Sequence, residues 1–308
     1  MQTRLRIGTR GSPLALYQAR EVAARLGLAM GVPADDAAEI IVIKTTGDRV
    51  QDRNLSELGG KGLFTKEIEE ALTARQIDLA VHSMKDMPSE LPDGLVIDCL
   101  LEREDPRDAF LSHKAASLVE LPKGSVVGTS SLRRAAQIRA RRPDLSIVPF
   151  RGNVETRLAK LEAGVADATL LAMAGLNRMG LAHHLRCAIS TEEMLPAVAQ
   201  GTIGVERRQE DGKLAELLAQ LHHRETGLRV SAERALLRVL DGSCRSPIAA
   251  LAELKSGRLF LRGMLLTPDG SQILEVSREG LAADAVSMGE DAGRDLKRRA
   301  GPEFFSGL

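Results

Sequence analysis

The chain has 308 residues, of which 44% are hydrophobic, enough for roughly two domains with buried cores. Lys plus Arg and Asp plus Glu both total 42, so the formal net charge is zero, and the absence of a long-range basic field weighs against a nucleic-acid partner. Three cysteines without C-x-x-C spacing, an N-terminus without a signal-type apolar stretch and no apolar run near ~18 residues read as a cytoplasmic protein with no disulfide framework and no membrane partner.

Aromatic residues make up only 2%, so the cores must be built from Leu, Val, Ile and Ala. Leu5 to Ser12 is a short β run, a Gly-Thr turn and a helix start, followed by a helical pattern through Arg25. "FTKEIEEALTARQIDLAVHSM" is a helix followed by a strand that opens near Asp78. From Val126 the pattern repeats, with a Gly-Thr turn at Gly128-Thr129, hydroxyls at Ser130 and Ser131, and a helix from Leu132. "VETRLAKLEAGVADATLLAM" repeats the helix and strand, with Asp167 in the place of Asp78 and Met173 in the place of Met84. Two duplicated α/β lobes are expected, with largely parallel sheets and the Gly-Thr turns at the carboxyl ends of strands, where such folds bind ligands. A cleft between the lobes follows as an expectation; shared patterning of any two βα units is the plain alternative.

"PAVAQGTIGVERR" reads as a loop and a short strand returning to the first lobe. After about Lys213 come two amphipathic helices, then strands at Pro247–Leu254, Arg258–Leu266 and Ser271–Arg278, and a helix over Ala282–Arg299. This reads as a small α+β domain. The expected division is 1–101 with 202–219, 107–195, and 224–308.

Lys85 and Asp86 in "AVHSMKDMP" fall just past a buried strand, where α/β enzymes place catalytic groups; a solvated surface pair is the competing reading. Thr129, Ser131, Arg133 and Arg134 join hydroxyls and guanidiniums at a helix start, which suits an anion. An N-cap with a solvated basic face is the alternative there, and accounts for Arg139, Arg141 and Arg142. Arg10, Ser12, Lys61, Arg151 and Arg157 add cations and a hydroxyl, so facing lobes would need a multiply charged anion. "GGKGLF" lacks the P-loop hydroxyl after Lys61, which argues against nucleotides. The adjacent pairs His183-His184 and His222-His223 do not suit a metal site, and His82 reads as structural. Cys99 and Cys187 read as inert core thiols, whereas Cys244, beside Arg245 in a Gly-Ser turn, reads as exposed and reactive.

Eleven stretches, "GTRGSPLAL", "GGKGLFTKE", "AVHSMKDMP", "EREDPRDAF", "GTSSLRRAAQ", "RRPDL", "RGNVETRL", "AGLNRMGL", "LPAVAQGTIGVE", "AERALL" and "GSCRSPIA", together resemble the porphobilinogen deaminase (hydroxymethylbilane synthase) family, in order and across nearly the whole chain. The resemblance implies a transferase of tetrapyrrole and heme biosynthesis. It would join four porphobilinogen molecules into 1-hydroxymethylbilane with loss of ammonia, on a dipyrromethane cofactor held by a thioether. Cys244 matches the attachment cysteine and Asp86 the catalytic carboxylate. Arg10, Arg133, Arg134, Arg151, Arg157 and Arg178 match carboxylate-binding arginines, Ser12, Thr129 and Ser131 match hydrogen-bonding hydroxyls, and Lys85 is similar to a cofactor-side lysine. The implied fold has two lobes like type II periplasmic binding proteins and a small C-terminal α+β domain, in a monomer without metal. Ser243, Arg245 and Ser246 depart from the commoner family residues, and a lid is expected between about Arg49 and Leu58. A two-lobed receptor for anionic ligands, without catalysis, is the rival reading.

Overall fold

The computed structural model describes residues 4–49, 62, 64–240 and 247–304. The chain forms two compact units, Met1–Arg103 with Thr202–Gly227, and Glu104–Gly201 with Leu228–Leu308. In chain order come β1 (Leu5–Thr9), α1 (Pro13–Met30), α2 (Ala34–Ala37), β2 (Ala38–Val42), α3 (Thr46–Arg49), α4 (Lys66–Thr73), β3 (Leu79–Ser83) and β4 (Leu95–Leu100). Next are β5 (Asp108–Ser112), β6 (Val126–Gly128), α5 (Leu132–Arg141), β7 (Ser146–Val148), α6 (Val154–Glu162), β8 (Ala168–Ala172), α7 (Met173–Arg178) and β9 (Cys187–Ala188). The chain continues with β10 (Ile203–Arg208), α8 (Gly212–Ala219), α9 (Arg224–Val239), β11 (Ile248–Lys255), β12 (Arg258–Leu266), β13 (Ile273–Leu281) and α10 (Ala285–Phe304). No helix among the described residues is long and apolar enough to cross a membrane.

The first unit holds a five-stranded sheet in the order β2-β1-β3-β10-β4, and the second holds one in the order β7-β6-β8-β5-β9. In each, the first three strands are parallel and the fourth is antiparallel to both neighbours. Four of the five strands in each sheet therefore run the same way, as the largely parallel sheets expected from the sequence require, with β10 and β5 as the antiparallel insertions. Parallel pairing is confined to strands joined by helical crossovers. β10 enters the first sheet from a distant part of the sequence, and β5 enters the second before any crossover has been made.

Alternation along the strands divides the core. Leu79 and Val81 of β3 pack with Ile7, Val22 and Leu26 on one face, while Ala80 packs with Ile68, Leu72 and Ile77 of the α4 side on the other. In the second unit Phe110 and Leu170 join Val127 and Ile138, while Leu111 and Leu171 join Phe150 and Leu161. The two sheets also share a latch. Asp78 accepts the Arg6 backbone N–H through Oδ2 at 2.8 Å, and Asp167 accepts that of Val126 at 2.7 Å, while each Asp N–H returns a bond to the same residue's carbonyl at 2.8 Å.

The remaining part of the second unit is the antiparallel meander β11-β12-β13 with α9 and α10. Ser256 and Gly257 turn its first hairpin with φ of 50° and 76°. A Cβ at Gly289 would stand 2.1 Å from the Ala232 carbonyl, so this glycine sets the close approach of α10 to α9. Ala249, Leu251, Met264 and Leu266 share a core with Ala136 and Leu195.

Candidate active site

The two Gly-Thr turns end β1 and β6, and each leads into a capped helix. Ser12 caps α1, accepting the Ala15 N–H at 3.3 Å, with Pro13 at the first helical position; Ser131 caps α5, accepting the Arg134 N–H at 3.4 Å. These bonds use the hydroxyls as acceptors, so each O–H remains a donor.

In the first unit, β3 runs out of the core into a 3-10 turn, Met84–Asp86, whose Met84 is buried and whose Asp86 is exposed. A Cβ at Gly204 would sit 2.1 Å from the Met84 sulfur, so this glycine makes room for the methionine that anchors the turn. Gln18 donates to the Ser83 hydroxyl at 2.9 Å and accepts from it at 3.1 Å, tying α1 to the same strand end. Asp86 shares an open pocket with Arg10, Ser12, Gln18, Phe64, His82 and Ser83, among others. The Arg10 guanidinium stacks over the Phe64 ring at 4.2 Å, which fixes the cation beside the pocket. Lys85 is the half-buried neighbour of Asp86 in the turn.

The second unit places Thr129, Ser131, Arg133 and Arg134 together at the start of α5, but its two guanidiniums are buried. Arg133 Nη2 donates to Asp108 Oδ2 at 2.8 Å, and Arg134 Nη2 donates to Oδ1 at 2.7 Å. Gln200 Nε2 also donates to Oδ1, at 2.9 Å. Burial pushes the Asp108 carboxyl up, but the charges of Arg133 and Arg134 and these hydrogen bonds outweigh it and hold the group well below the carboxylate range. Two cations against one carboxylate leave an excess positive charge, and Arg133 Nε is buried without a hydrogen-bond partner among the described residues. Asp108 escaped the sequence reading, although an aspartate opening the apolar run "DAFLS" was a legible sign of a buried partner.

Arg157 Nε donates to the Gly152 carbonyl at 2.9 Å, and Arg178 Nη2 to that of Gly201 at 2.9 Å. Arg151 is half-buried in the segment before α6, and its carbonyl accepts Lys160 Nζ at 2.9 Å. Lys61, Cys244 and most of the expected lid lie outside the described residues.

Two expectations need correction. Arg139 and Arg142 do not form a solvated face: Arg139 bonds the Pro268 carbonyl at 2.7 Å, and Arg142 grips the carbonyls of Leu118, Val119 and Leu121, each at 2.8 Å. The exposed Arg141 reaches the Glu192 carbonyl at 3.4 Å. A five-donor guanidinium satisfies chain carbonyls that no helix or strand bonds. Of the two thiols read as core, Cys99 is buried, and burial pushes it up to about 12; Cys187, on the edge strand β9, is only partly covered. Among the described residues, no group of three or more His, Cys, Asp or Glu side chains could hold a metal ion.

A mixed α/β protein with an exposed carboxylate at a strand tip and cations and hydroxyls at helix starts belongs to the class of proteins that work on anionic small molecules. The sequence model of "Porphobilinogen deaminase, dipyromethane cofactor binding domain" matches residues 5–216, and that of the deaminase's C-terminal domain matches 227–298. The chain is 62% identical over 304 residues to porphobilinogen deaminase of Paracoccus denitrificans, covering 99% of this chain and 97% of that one. It is 53% identical over 307 residues to the chloroplastic porphobilinogen deaminase of Pisum sativum, covering 98% and 83%. Among solved structures, the methionine-binding protein MetQ is similar with a TM-score of 0.43 and 16% identity, over 71% of this chain and 89% of that one. The chain belongs to the porphobilinogen deaminase family. Its reaction is that of hydroxymethylbilane synthase, the joining of porphobilinogen units with loss of ammonia.

Proposed function

We propose that the first unit's pocket is where this chemistry takes place and that Asp86 is its catalytic carboxylate. The observation that carries this reading is an exposed carboxylate at the end of a buried strand, in one pocket with Arg10 and Ser12. Porphobilinogen carries an acetate and a propionate, so it needs cations and hydroxyl donors for its side chains and a lone anion at its reacting end. When ammonia leaves the aminomethyl carbon, positive charge spreads into the pyrrole and makes its N–H a stronger donor. Asp86 accepts that hydrogen bond and stabilises the charge as it develops. The new carbon–carbon bond displaces a ring proton, and the released ammonia leaves carrying it as ammonium.

Arg10, Ser12, Lys61, Arg151, Arg157 and Arg178 hold the carboxylates of the substrate and the growing chain. Lys85, Thr129, Ser131, Arg133 and Arg134 hold those of the dipyrromethane. The donor set fits such a group: among the described residues the α5 start sets two guanidiniums against the one Asp108 carboxylate and holds a buried guanidinium N–H without a partner. When bound, the dipyrromethane supplies the pyrrole carbon to which the first unit is joined. Cys244 is its thioether anchor, and the chain works as a cytoplasmic monomer. Intact mass of the purified protein tests the anchor. An adduct of two linked pyrroles is expected, absent from Cys244→Ser; an unmodified mass for active enzyme would overturn it.

A further inference from the structure

The wall of the Asp86 pocket contains an aromatic ring that the reaction described above does not use. Phe110 and Phe150 lie fully buried in the second unit's core, whereas Phe64 is half-buried and lines the pocket. Arg10 Cζ stands 4.2 Å from the centroid of the Phe64 ring, in direct contact with its face. Two other cations approach rings, Lys160 over Phe150 and Lys255 over Phe260, but both at 5.9 Å, the outer limit for such an attraction. The Phe64 ring is seated in turn on the start of α3. A Cβ at Gly47 would stand 2.3 Å from Phe64 Cε1 and 2.4 Å from Cδ1, so the ring lies against bare backbone where no side chain fits. Both flanks of this contact are tied down. Thr46 donates its backbone N–H to Glu67 Oε1 at 2.7 Å and its hydroxyl to the same oxygen, which joins the start of α3 to the first turn of α4. The N–H groups of Thr65 and Lys66 return to the Gly62 carbonyl at 3.0 and 2.9 Å, which closes the turn that carries Phe64 into α4.

We propose that Phe64, seated on Gly47, is a positioning residue for the substrate: its π face holds the Arg10 guanidinium at the pocket, ready for a carboxylate of porphobilinogen. A ring face attracts the charge of a cation without taking any of its N–H donors, so those donors stay available to the carboxylate. A long arginine side chain samples many rotamers and loses that freedom when it binds an anion. One already stacked on a ring has lost it beforehand, which raises affinity. Removing the π face should therefore weaken substrate binding more than turnover. Gly47 acts one step further back, because a methyl group there must push the ring off its seat.

The inference rests on the Asp86 pocket being the substrate site with Arg10 in it. Arg10→Gln tests that reading, since an unchanged KM would remove Arg10 from substrate binding, whereas the role of Phe64 is read from the ring itself. Steady-state kinetics of the holoenzyme with porphobilinogen compare the wild type with enzymes carrying mono-, di- and trifluorinated phenylalanine at position 64. Fluorine withdraws charge from the ring face and leaves its shape nearly unchanged. KM should rise with each step, to about threefold for the trifluorinated ring, with kcat within about twofold of wild type. A level KM would mean that the ring only fills space, and a falling one that it stacks on the electron-rich pyrrole; either overturns the proposal. Phe64→Leu keeps the apolar bulk and should raise KM about fivefold, while Phe64→Tyr restores the ring and should stay within about twofold of wild type. Added to Arg10→Gln, Phe64→Leu should change KM by less than about twofold, because the ring acts through the cation; a full further rise would overturn that link. Gly47→Ala should raise KM about as much as Phe64→Leu and add nothing to it, and additive effects would reject the seat.

Discussion

The two five-stranded sheets have the same strand order and the same aspartate latch, yet they use their carboxylates differently. At the tip of β3 the chain reads Met84-Lys85-Asp86; at the equivalent tip of β8 it reads Met173-Ala174-Gly175. The methionine is buried at both tips, but only the first presents a carboxylate. Deeper in, the equivalent antiparallel strands β10 and β5 each bury one carboxylate, Glu206 opposite His82 and Asp108 between Arg133 and Arg134. A duplicated scaffold thus carries three carboxylate settings: an exposed tip, a buried partner of imidazole and a buried partner of guanidinium. The setting, and not the residue type, decides which can serve a reaction.

The sharpest way to break this contrast is at the exposed tip. Asp86→Ala should keep the fold, because the side chain is exposed and Met84 anchors the turn. Ammonia release from porphobilinogen should fall by about 10³-fold, the scale of one electrostatic or acid–base group. Circular dichroism checks the fold while ammonia is assayed, and near-normal release would remove Asp86 from the chemistry.

Asp108 should behave in the opposite way. Asp108→Asn leaves Arg133 and Arg134 buried without their anion, and should cost about 3–5 kcal/mol of unfolding free energy in a denaturant titration. The pH dependence has a defined sign. The folded carboxyl lies below its unfolded value, so its contribution is fully present above about pH 4 and is lost as pH falls toward the folded value. The acid-side decline of wild-type stability should therefore flatten in Asp108→Asn. A cost under about 1 kcal/mol would mean that Asp108 does not lock the arginine pair.

Much of this was legible in the sequence. The strand Arg258–Leu266 has the expected bounds, and helix α5 begins at Leu132 as its hydroxyl-rich start indicates. The equivalence of Asp78 with Asp167 and of Met84 with Met173 was visible as spacing, because each pair repeats one local turn. Contacts between residues far apart in the chain were not visible. The Arg133 and Arg134 motif reads as an anion site whether or not a carboxylate 25 residues upstream occupies it. In the same way, His82 reads as structural until β10, 124 residues later, brings Glu206 against it. The antiparallel strand in each largely parallel sheet was hidden for the same reason, since alternating strands and helices do not reveal where a strand inserts from elsewhere in the chain.

The smallest expected effect concerns the two helix starts, where the sheets look most alike. Ser12→Ala and Ser131→Ala each remove a cap bond that is already long, and each should cost about 0.5–1 kcal/mol in a denaturant titration. Glycine at the same positions keeps the backbone of the cap and should cost only about a few tenths of a kcal/mol, yet it lacks the hydroxyl just as alanine does. Capping and ligand binding therefore separate. If the O–H donates to a substrate or cofactor carboxylate, Ser12→Gly and Ser131→Gly will regain stability relative to alanine while the KM for porphobilinogen stays raised. If KM recovers together with stability, the hydroxyls only cap their helices, and the family's hydrogen-bonding role does not extend to these two positions.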